Sequence, residues 1–343
     1  MAAAGPGGPE PAAPAGGGGG GGGEGEDPVQ RVLDLTNEKR ESLEGVAVAA
    51  TLEEVDLTGN RLAGVQADRL AGLAGLESLS FRNNQIKDFA EVATFAGAGT
   101  LRELIVSDNQ VAEVPENVRE LAALETLDLS YNVLRSLGTL TAGPPKLTTL
   151  YAASNKIVGL EGLPLLAGLE KLDLGCNRIR DCAAVNALPR LEELWLGKNK
   201  IVTVPTLELP RLTKLSIQSN RLTSIHGLEL CTRLEELYLS HQGIEAIANL
   251  GPLTRLKVLD LSNNRIAAVE GLETLAELED LWLNDNRIGD LGGTARALEA
   301  GPKQSLDTVY FEGNPIAKDP TYRLTLSAAL PNLKQLDTQM VKR

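Results

Sequence analysis

LEELWLGKNKI, residues 191–201, carries Leu191, Leu194 and Leu196, then Asn199 and Ile201. Around Trp195 the large apolar and polar positions alternate, which is the period of a short strand. Leu194 and Leu196 point to one face, and Glu193 and Trp195 to the other. The asparagine ends such a strand, because its amide can bond backbone groups where the chain turns. A segment this short cannot bury its own leucines and needs a neighbour of the same kind on each side.

The neighbours are present. The pattern first appears clearly as Leu52, Val55, Leu57, Asn60, Leu62 and Val65. Its turn position is then filled by Asn84, Asn109, Asn132, Asn155, Asn177, Asn199, Asn220, Gln242, Asn264, Asn286 and Asn314. From Asn155 to Asn286 the steps are 22, 22, 21, 22, 22 and 22 residues. A period this steady predicts an α/β leucine-rich repeat solenoid: a curved parallel sheet on the concave side, short 3₁₀ or helical returns on the convex side, and a C-terminal cap. The turn amides should stack into an internal polar ladder. Early steps of 24 and 25 residues leave more chain for the return, so helices are expected near 68–74 and 116–122. Gln242, longer than asparagine, predicts a local irregularity, with Gly243 relieving the backbone beside it.

Four segments follow from this register. Residues 1–27 are Gly, Pro and Ala with a few Glu and Asp, a composition that buries too little to order itself, and they are expected to form a disordered tail. Residues 28–51 read as a degenerate repeat and N-terminal cap: Leu33 and Leu35 lie 22 residues before Val55 and Leu57, and Glu38 stands where the ladder residue would be. Residues 52–316 hold twelve repeats. Residues 317–343 read as a C-terminal cap and tail, with Tyr322, Leu326 and Leu330 at helical spacing before Pro331, and Leu333 and Leu336 covering the last leucine layer.

Composition narrows the function. The formal charge of −13 opposes nonspecific nucleic-acid binding and suits a partner that presents positive charge. Cys176, Cys182 and Cys231 have neither disulfide-framework nor zinc-ligand spacing, so a reducing compartment is expected. A secretory leader and a membrane-spanning apolar run are both missing from the sequence as read, which predicts an intracellular chain without a membrane partner.

Candidate binding residues lie between the strand leucines, where the fold does not demand apolar side chains. One column reads Asp56, Ser80, Ile105, Asp128, Tyr151, Asp173, Trp195, Ser216, Tyr238, Asp260, Trp282 and Tyr310. It holds both tryptophans and three of the five tyrosines in a chain that is 3% aromatic. Large aromatics with a polar edge are efficient anchors for a protein partner. The neighbouring column adds Glu54, Glu103, Lys171, Glu193, Lys214, Glu236, Val258 and Asp280, giving a mainly negative face punctuated by lysine. Opposite charge across an interface steers and aligns the partner, and misplaced like charge is penalised.

Catalysis has no comparable signal. His226 and His241 fall at different places in successive repeats without a nucleophile or metal set, and Asp128, Asp173 and Asp260 are whole repeats apart. Cys182 occupies an apolar anchor position equivalent to Val204. The Gly run at 17–23 lacks the strand-to-helix context of a phosphate loop. No enzyme activity, cofactor or metal is expected.

The consecutive forms LEELWLGKNKI, LTKLSIQSNRL, LEELYLSHQGI, LKVLDLSNNRI, LEDLWLNDNRI and LDTVYFEGNPI resemble the family of the leucine-rich nuclear regulator of protein phosphatase 1, the protein phosphatase 1 regulatory subunit 7 family, across residues 31 to 341. The resemblance implies a noncatalytic subunit that grips the protein phosphatase 1 catalytic subunit with its concave face and controls its activity or maturation. It also implies residence in nucleus and cytoplasm, and further phosphatase regulators as additional partners. The family's contact positions correspond here to Asp128, Tyr151, Asp173, Trp195, Asp280, Trp282 and Tyr310, and the two columns add Glu193, Tyr238 and Asp260. The competing expectation is a structural adaptor in a microtubule or ciliary assembly.

Overall fold

The computed structural model describes residues 30–140, 143–161, 163 and 166–341; the Gly-rich tail expected to be disordered, residues 1–27, lies outside them. Among the described residues, fifteen strands form one sheet in chain order, from Val32–Asp34 at one edge to Gln339–Met340 at the other. Every adjacent pair is parallel except the last, Gln335–Leu336 with Gln339–Met340. Register follows the repeat: Leu194 pairs with Leu172 on one side and Leu215 on the other, and Trp195 lies between Asp173 and Ser216. The strand Val32–Asp34 joins this register, with Leu33 opposite Val55.

One continuous core runs under the sheet. Leu194, Leu196, Ile201 and Val204 of a single repeat are all buried, as are their counterparts elsewhere. Burial of such a side chain contributes roughly 1.5–3 kcal/mol. The aromatics are partitioned: Phe81, Phe89, Phe95 and Phe311 are in the core, whereas both tryptophans are on the sheet surface. Phenylalanine has no polar atom to satisfy, so it belongs inside.

The ladder holds the stack in register. Asn199 accepts from the Ile179 N–H (2.9 Å) and donates to the carbonyls of Leu174 (2.9 Å) and Leu196 (3.0 Å), so one side chain ties two repeats together. The residue before each ladder position is left-handed: Asn83, Asp108, Tyr131, Ser154, Cys176, Lys198, Ser219, His241, Asn263 and Asp285 have φ between 53° and 60°. Such a conformation costs a non-glycine residue about 1 kcal/mol or more, and the asparagine bonds offset it.

Gln242 does not create the expected irregularity. His241 before it has φ 55° like its counterparts, and the Gln242 amide still accepts from the Leu222 N–H (3.0 Å) and donates to the Ile217 carbonyl (2.6 Å). The extra methylene is absorbed by dropping the bond to its own repeat, the one Asn264 makes to Leu261 (3.0 Å). Gly243 does not relieve the backbone through a left-handed φ, which it lacks; its missing side chain instead leaves room for the Leu222 carbonyl, which would lie 3.3 Å from a Cβ there.

The convex returns are mostly short 3₁₀ turns, among them Ala90–Ala93, Glu116–Glu120 and Ala183–Ala187. The helix expected over 68–74 is reduced to one α-helical turn, α1 (Ala67–Leu70), and the one expected over 116–122 is 3₁₀ rather than α. The chain must rejoin the sheet before a second full turn can form. Only the 28-residue step from Asn286 to Asn314 has room for a longer helix, α2 (Leu291–Ala300), started by the Asp290 side chain accepting from the Gly293 N–H (2.8 Å).

The C-terminal cap is α3 (Tyr322–Ala329), followed by the buried Leu330, Leu333 and Leu336. Asp337 ends the stack by accepting from the N–H groups of Phe311 (2.8 Å) and Glu312 (2.9 Å) and from the Tyr322 hydroxyl (2.9 Å). Burial, with the Asp337 carboxylate beside it, pushes the Tyr322 hydroxyl far above its ordinary pKa, so it stays a donor.

Two predictions follow from this scaffold. Asn199→Ala should lower stability by more than about 2 kcal/mol, since it strands buried backbone groups, whereas Gln242→Asn should raise it by roughly 0.5–1 kcal/mol by restoring the lost bond; urea titration of both variants reads the difference. Burial pushes the thiols of Cys182 and Cys231 up to about 12 and about 11, while Cys176 is exposed. A thiol reagent at pH 8 should therefore modify Cys176 rapidly in the folded chain and the other two only after denaturation.

Candidate functional site

Each strand places its first and third residues on the concave surface and its middle residue in the core, as burial of Leu194 between the half-exposed Glu193 and Trp195 illustrates. The in-register pairing then brings the third residues into one column, Asp128, Tyr151, Asp173, Trp195, Ser216, Tyr238, Asp260, Trp282 and Tyr310. Successive side chains in it are about 4.8 Å apart along the sheet. Glu193 and Asp280 stand in the adjacent first-residue column.

The column contains two aromatic groups. Tyr238, Trp282 and Tyr310 pack together: Trp282 lies 6.3 Å from each tyrosine, centroid to centroid, tilted 58° to one and 85° to the other. Tyr238 and Trp282 meet across Asp260, which is 5% exposed beneath them. Edge-on geometry of this kind contributes about 0.5–1.5 kcal/mol beyond area. The Trp282 indole N–H is buried without an acceptor among the described residues, so packing between the tyrosines, not hydrogen bonding, holds the ring. Tyr151 and Trp195 flank Asp173, and Ser216 separates them from the first group.

Electrostatics are finer than a uniform negative face. Lys171 pairs with Glu193 (2.9 Å) and Lys214 with Glu236 (2.7 Å), so both lysines are neutralised across neighbouring strands. Glu236 also accepts from the Tyr238 hydroxyl (2.8 Å), and Lys214 lies 5.7 Å from the centre of that ring. Burial pushes Glu236 up, but the hydrogen bonds from Lys214 and Tyr238 outweigh it and hold the carboxyl below its usual range. Burial and the Glu236 bond push Tyr238 far up. Burial also raises Tyr151, partly offset by Lys171, and raises Asp280, with Asp307 and Glu279 adding to it.

The aspartates of the column carry a structural role that the sequence reading missed. One oxygen of each accepts the N–H two residues on: Asp56 from Thr58, Asp128 from Ser130, Asp173 from Gly175 and Asp260 from Ser262, all at 2.8–2.9 Å. The signal was in the sequence, as Asp-x-Ser/Thr/Gly at the end of five strands, with Asp34 accepting from Thr36 in the first. These carboxylates fasten strand to turn with one oxygen; Asp56, Asp128 and Asp173 are part-exposed and leave the second for solvent or a partner, whereas Asp260 is buried. Asp173 is driven up chiefly by burial, opposed by the Gly175 N–H and reinforced by the Asp128 charge.

His226 hydrogen-bonds Ser224 (3.2 Å), and His241 sits in the left-handed turn before the ladder. Among the described residues no cluster of three or more His, Cys, Asp and Glu could hold a metal ion, and no helix is long and apolar enough to cross a membrane.

Known proteins share this architecture. The family described as "Leucine rich repeat" matches residues 50–111 and 99–157, and "Leucine Rich repeats (2 copies)" matches 167–209, 189–229, 210–252 and 254–295. The chain is 40% identical over 311 residues to the "Protein phosphatase 1 regulatory inhibitor subunit PPP1R7 homolog" of Arabidopsis thaliana, covering 90% of this chain and 94% of that protein. Human "Leucine-rich repeats and immunoglobulin-like domains protein 3" is 34% identical over 159 residues, only 14% of its length. Among solved structures, an internalin (inlF) from Listeria monocytogenes superposes with a TM-score of 0.76 at 24% identity, covering 90% of this chain and 87% of that one. A Leptospira interrogans leucine-rich-repeat protein does so at 0.70 and 23%, covering 83% and 78%. These two establish the fold alone.

Asp173 separates the two roles of the column. Asp173→Asn keeps an oxygen for the Gly175 N–H while removing a buried charge, so it should be neutral or stabilising at pH 7. Because the native carboxyl is raised above its unfolded value of 3.8, wild type is penalised only above that range. The advantage of the asparagine variant should shrink as pH falls through the raised native value and vanish below 3.8. Asp173→Ala loses the turn bond and should cost about 1 kcal/mol. Thermal melts from pH 3 to 8 check both; an asparagine advantage that grows on acidification would reverse the assignment.

Proposed function

The chain belongs to the leucine-rich-repeat family of protein phosphatase 1 regulatory subunits, and from that membership we infer that it binds the protein phosphatase 1 catalytic subunit and restrains or matures it without catalysing a reaction itself. The observation that carries this reading is the concave column: two aromatic groups, which the fold does not require there, and a line of carboxylates beside them on a preformed surface. Asp128, Tyr151, Asp173, Glu193 and Trp195 form the N-terminal half of the proposed contact, and Tyr238, Asp260, Asp280, Trp282 and Tyr310 the C-terminal half.

The physics of the surface favours a folded partner with basic side chains. Four strand spacings, about 19 Å, separate Trp195 from Trp282. The partner is therefore a rigid domain wide enough to reach both. Preorganised rings on a rigid sheet lose little entropy on docking. Regulation then follows from position, since a domain held in the concavity has one of its own faces covered. The expected sites of action are nucleus and cytoplasm, and other phosphatase regulators would join on the surfaces left open.

Trp195→Ala and Trp282→Ala should each weaken phosphatase binding about 30-fold, near 2 kcal/mol for a buried aromatic anchor. Their separation makes the double variant close to additive. Calorimetry with the purified catalytic subunit measures this, with circular dichroism confirming the fold; wild-type affinity in the double variant removes the concave site. Raising ionic strength should slow association as the carboxylates are screened, and stopped-flow rates between 50 and 500 mM salt test that direction.

A further inference from the structure

A second column of regular chemistry lies outside the concave face. The residue after each ladder position is Lys156, Arg178, Lys200, Arg221, Gly243, Arg265 and Arg287 in seven successive repeats. Each donates its backbone N–H to the preceding repeat, at Leu134, Ile157, Ile179, Ile201, Leu222, Ile244 and Ile266, over 2.7–2.9 Å. These bonds lock the six cations into a row at roughly strand spacing, about 30 Å from end to end. The row runs along the flank where the strands end.

The two flanks differ in sign. On the opposite one, just before the strands, charges are mixed and paired: Arg102 with Glu77 and Glu125, Lys257 with Glu235, Lys334 with Asp307. Among the described residues, none of the six cations has a carboxylate within ion-pair distance, although Arg61, in the same column near the N-terminus, pairs with Glu41 at 3.7 Å. Arg178, Arg221, Arg265 and Arg287 are exposed. An unpaired basic row in a chain of net charge −13 is not explained by solubility, which acidic residues already supply.

An apolar element accompanies the charge. Arg135 and Arg180, two residues beyond the row in their repeats, line an open groove of about 590 Å³ with Val158, Leu160, Glu161 and Asp181. Val158 is 54% exposed and Val202, two repeats further, 53%.

We propose that this flank binds an extended acidic polypeptide segment of a second partner while the concave face stays free for its own. Charge complementarity selects the acidic segment, and the exposed valines beside the row favour a peptide over a polyphosphate, because they reward apolar side chains interspersed with carboxylates. A nucleic-acid duplex is stiff over about 150 base pairs and cannot confine itself to one flank. It would bring its charge against the acidic concave face and the acidic majority of the chain. A flexible segment follows the row within about one Debye length, roughly 10 Å at 0.1 M salt, and avoids them. A disordered acidic segment pays its ordering entropy on docking, and the charge contacts along the row offset it.

The test uses the full chain and a fluorescein-labelled peptide of twelve glutamates carrying two valines, read by anisotropy. Binding should weaken with salt, and Arg178→Glu/Lys200→Glu/Arg221→Glu should reduce it at least tenfold. The neutral variant Arg178→Gln/Lys200→Gln/Arg221→Gln should fall between, which guards against misfolding of the reversed one. Arg102→Glu/Lys257→Glu/Lys334→Glu, on the opposite flank, should change affinity less than threefold. No peptide binding, equal losses from both flanks, or tighter binding of a twelve-nucleotide single strand or of anionic vesicles overturns the proposal. Phosphatase binding by the reversed variant reports separately: its retention places the peptide site outside the concave one, and its loss alongside peptide loss would merge the two and defeat the proposal.

Discussion

A backbone that turns sharply every 21 to 28 residues has to satisfy buried amides and carbonyls at each turn, and the asparagine ladder is how this chain does so. Asn199 satisfies three groups on two repeats at once, and its counterparts repeat the bonds from Asn60 to Asn314. The geometry allows a fixed displacement between neighbours and little else. Strand register, the left-handed residue before each asparagine and the columnar order of the surface are consequences. Even the flank carrying the basic row is aligned by bonds that start one residue after the ladder.

Because register is imposed, surface chemistry becomes a matter of column. Side chains spread through 183 residues of sequence, from Asp128 to Tyr310, stand in one line on the sheet. The same constraint explains the double use of aspartate. A carboxylate ending a strand can accept the N–H that starts the turn and still offer an oxygen outward, so the part-exposed Asp128 and Asp173 stabilise the repeat and charge the face together. Aromatic placement obeys a related rule. Phe311 is in the core while Tyr310 beside it is on the surface, because only the phenol has an edge that water or a partner can bond.

Most of this was legible in the sequence because the period is short and the leucines are strict. Ladder positions, strand positions and the membership of the concave column follow from counting. What escaped depended on atoms rather than spacing. Gln242 reaches the same cross-repeat partners by giving up one bond in its own repeat, a compromise set by a single methylene. The α2 helix occupies a stretch containing Gly292 and Gly293, residues that weaken helices; Asp290 at its start and the long step between strands outweigh them. Asp337 closes the end of the sheet with a carboxylate that takes the N–H groups of Phe311 and Glu312, which no repeat pattern announces, because its partners are three backbone and side-chain donors gathered only by the cap.

A solenoid can hold surfaces of opposite sign without their cancelling, and the reason is geometric. In a compact globule, a row of unpaired cations would fold against the nearest carboxylates. Here the turn of the chain at each ladder residue separates the concave columns from the flank, and the parallel backbone bonds prevent either from sliding toward the other. The lysines that do lie on the acidic face, Lys171 and Lys214, are captured by Glu193 and Glu236, whereas Lys200 and Arg221 on the flank are out of reach of those same carboxylates. Screening completes the separation over distances of about 10 Å at physiological salt. Two partners of opposite charge can therefore be accommodated on one rigid frame, each recognised by a column whose spacing the other does not disturb.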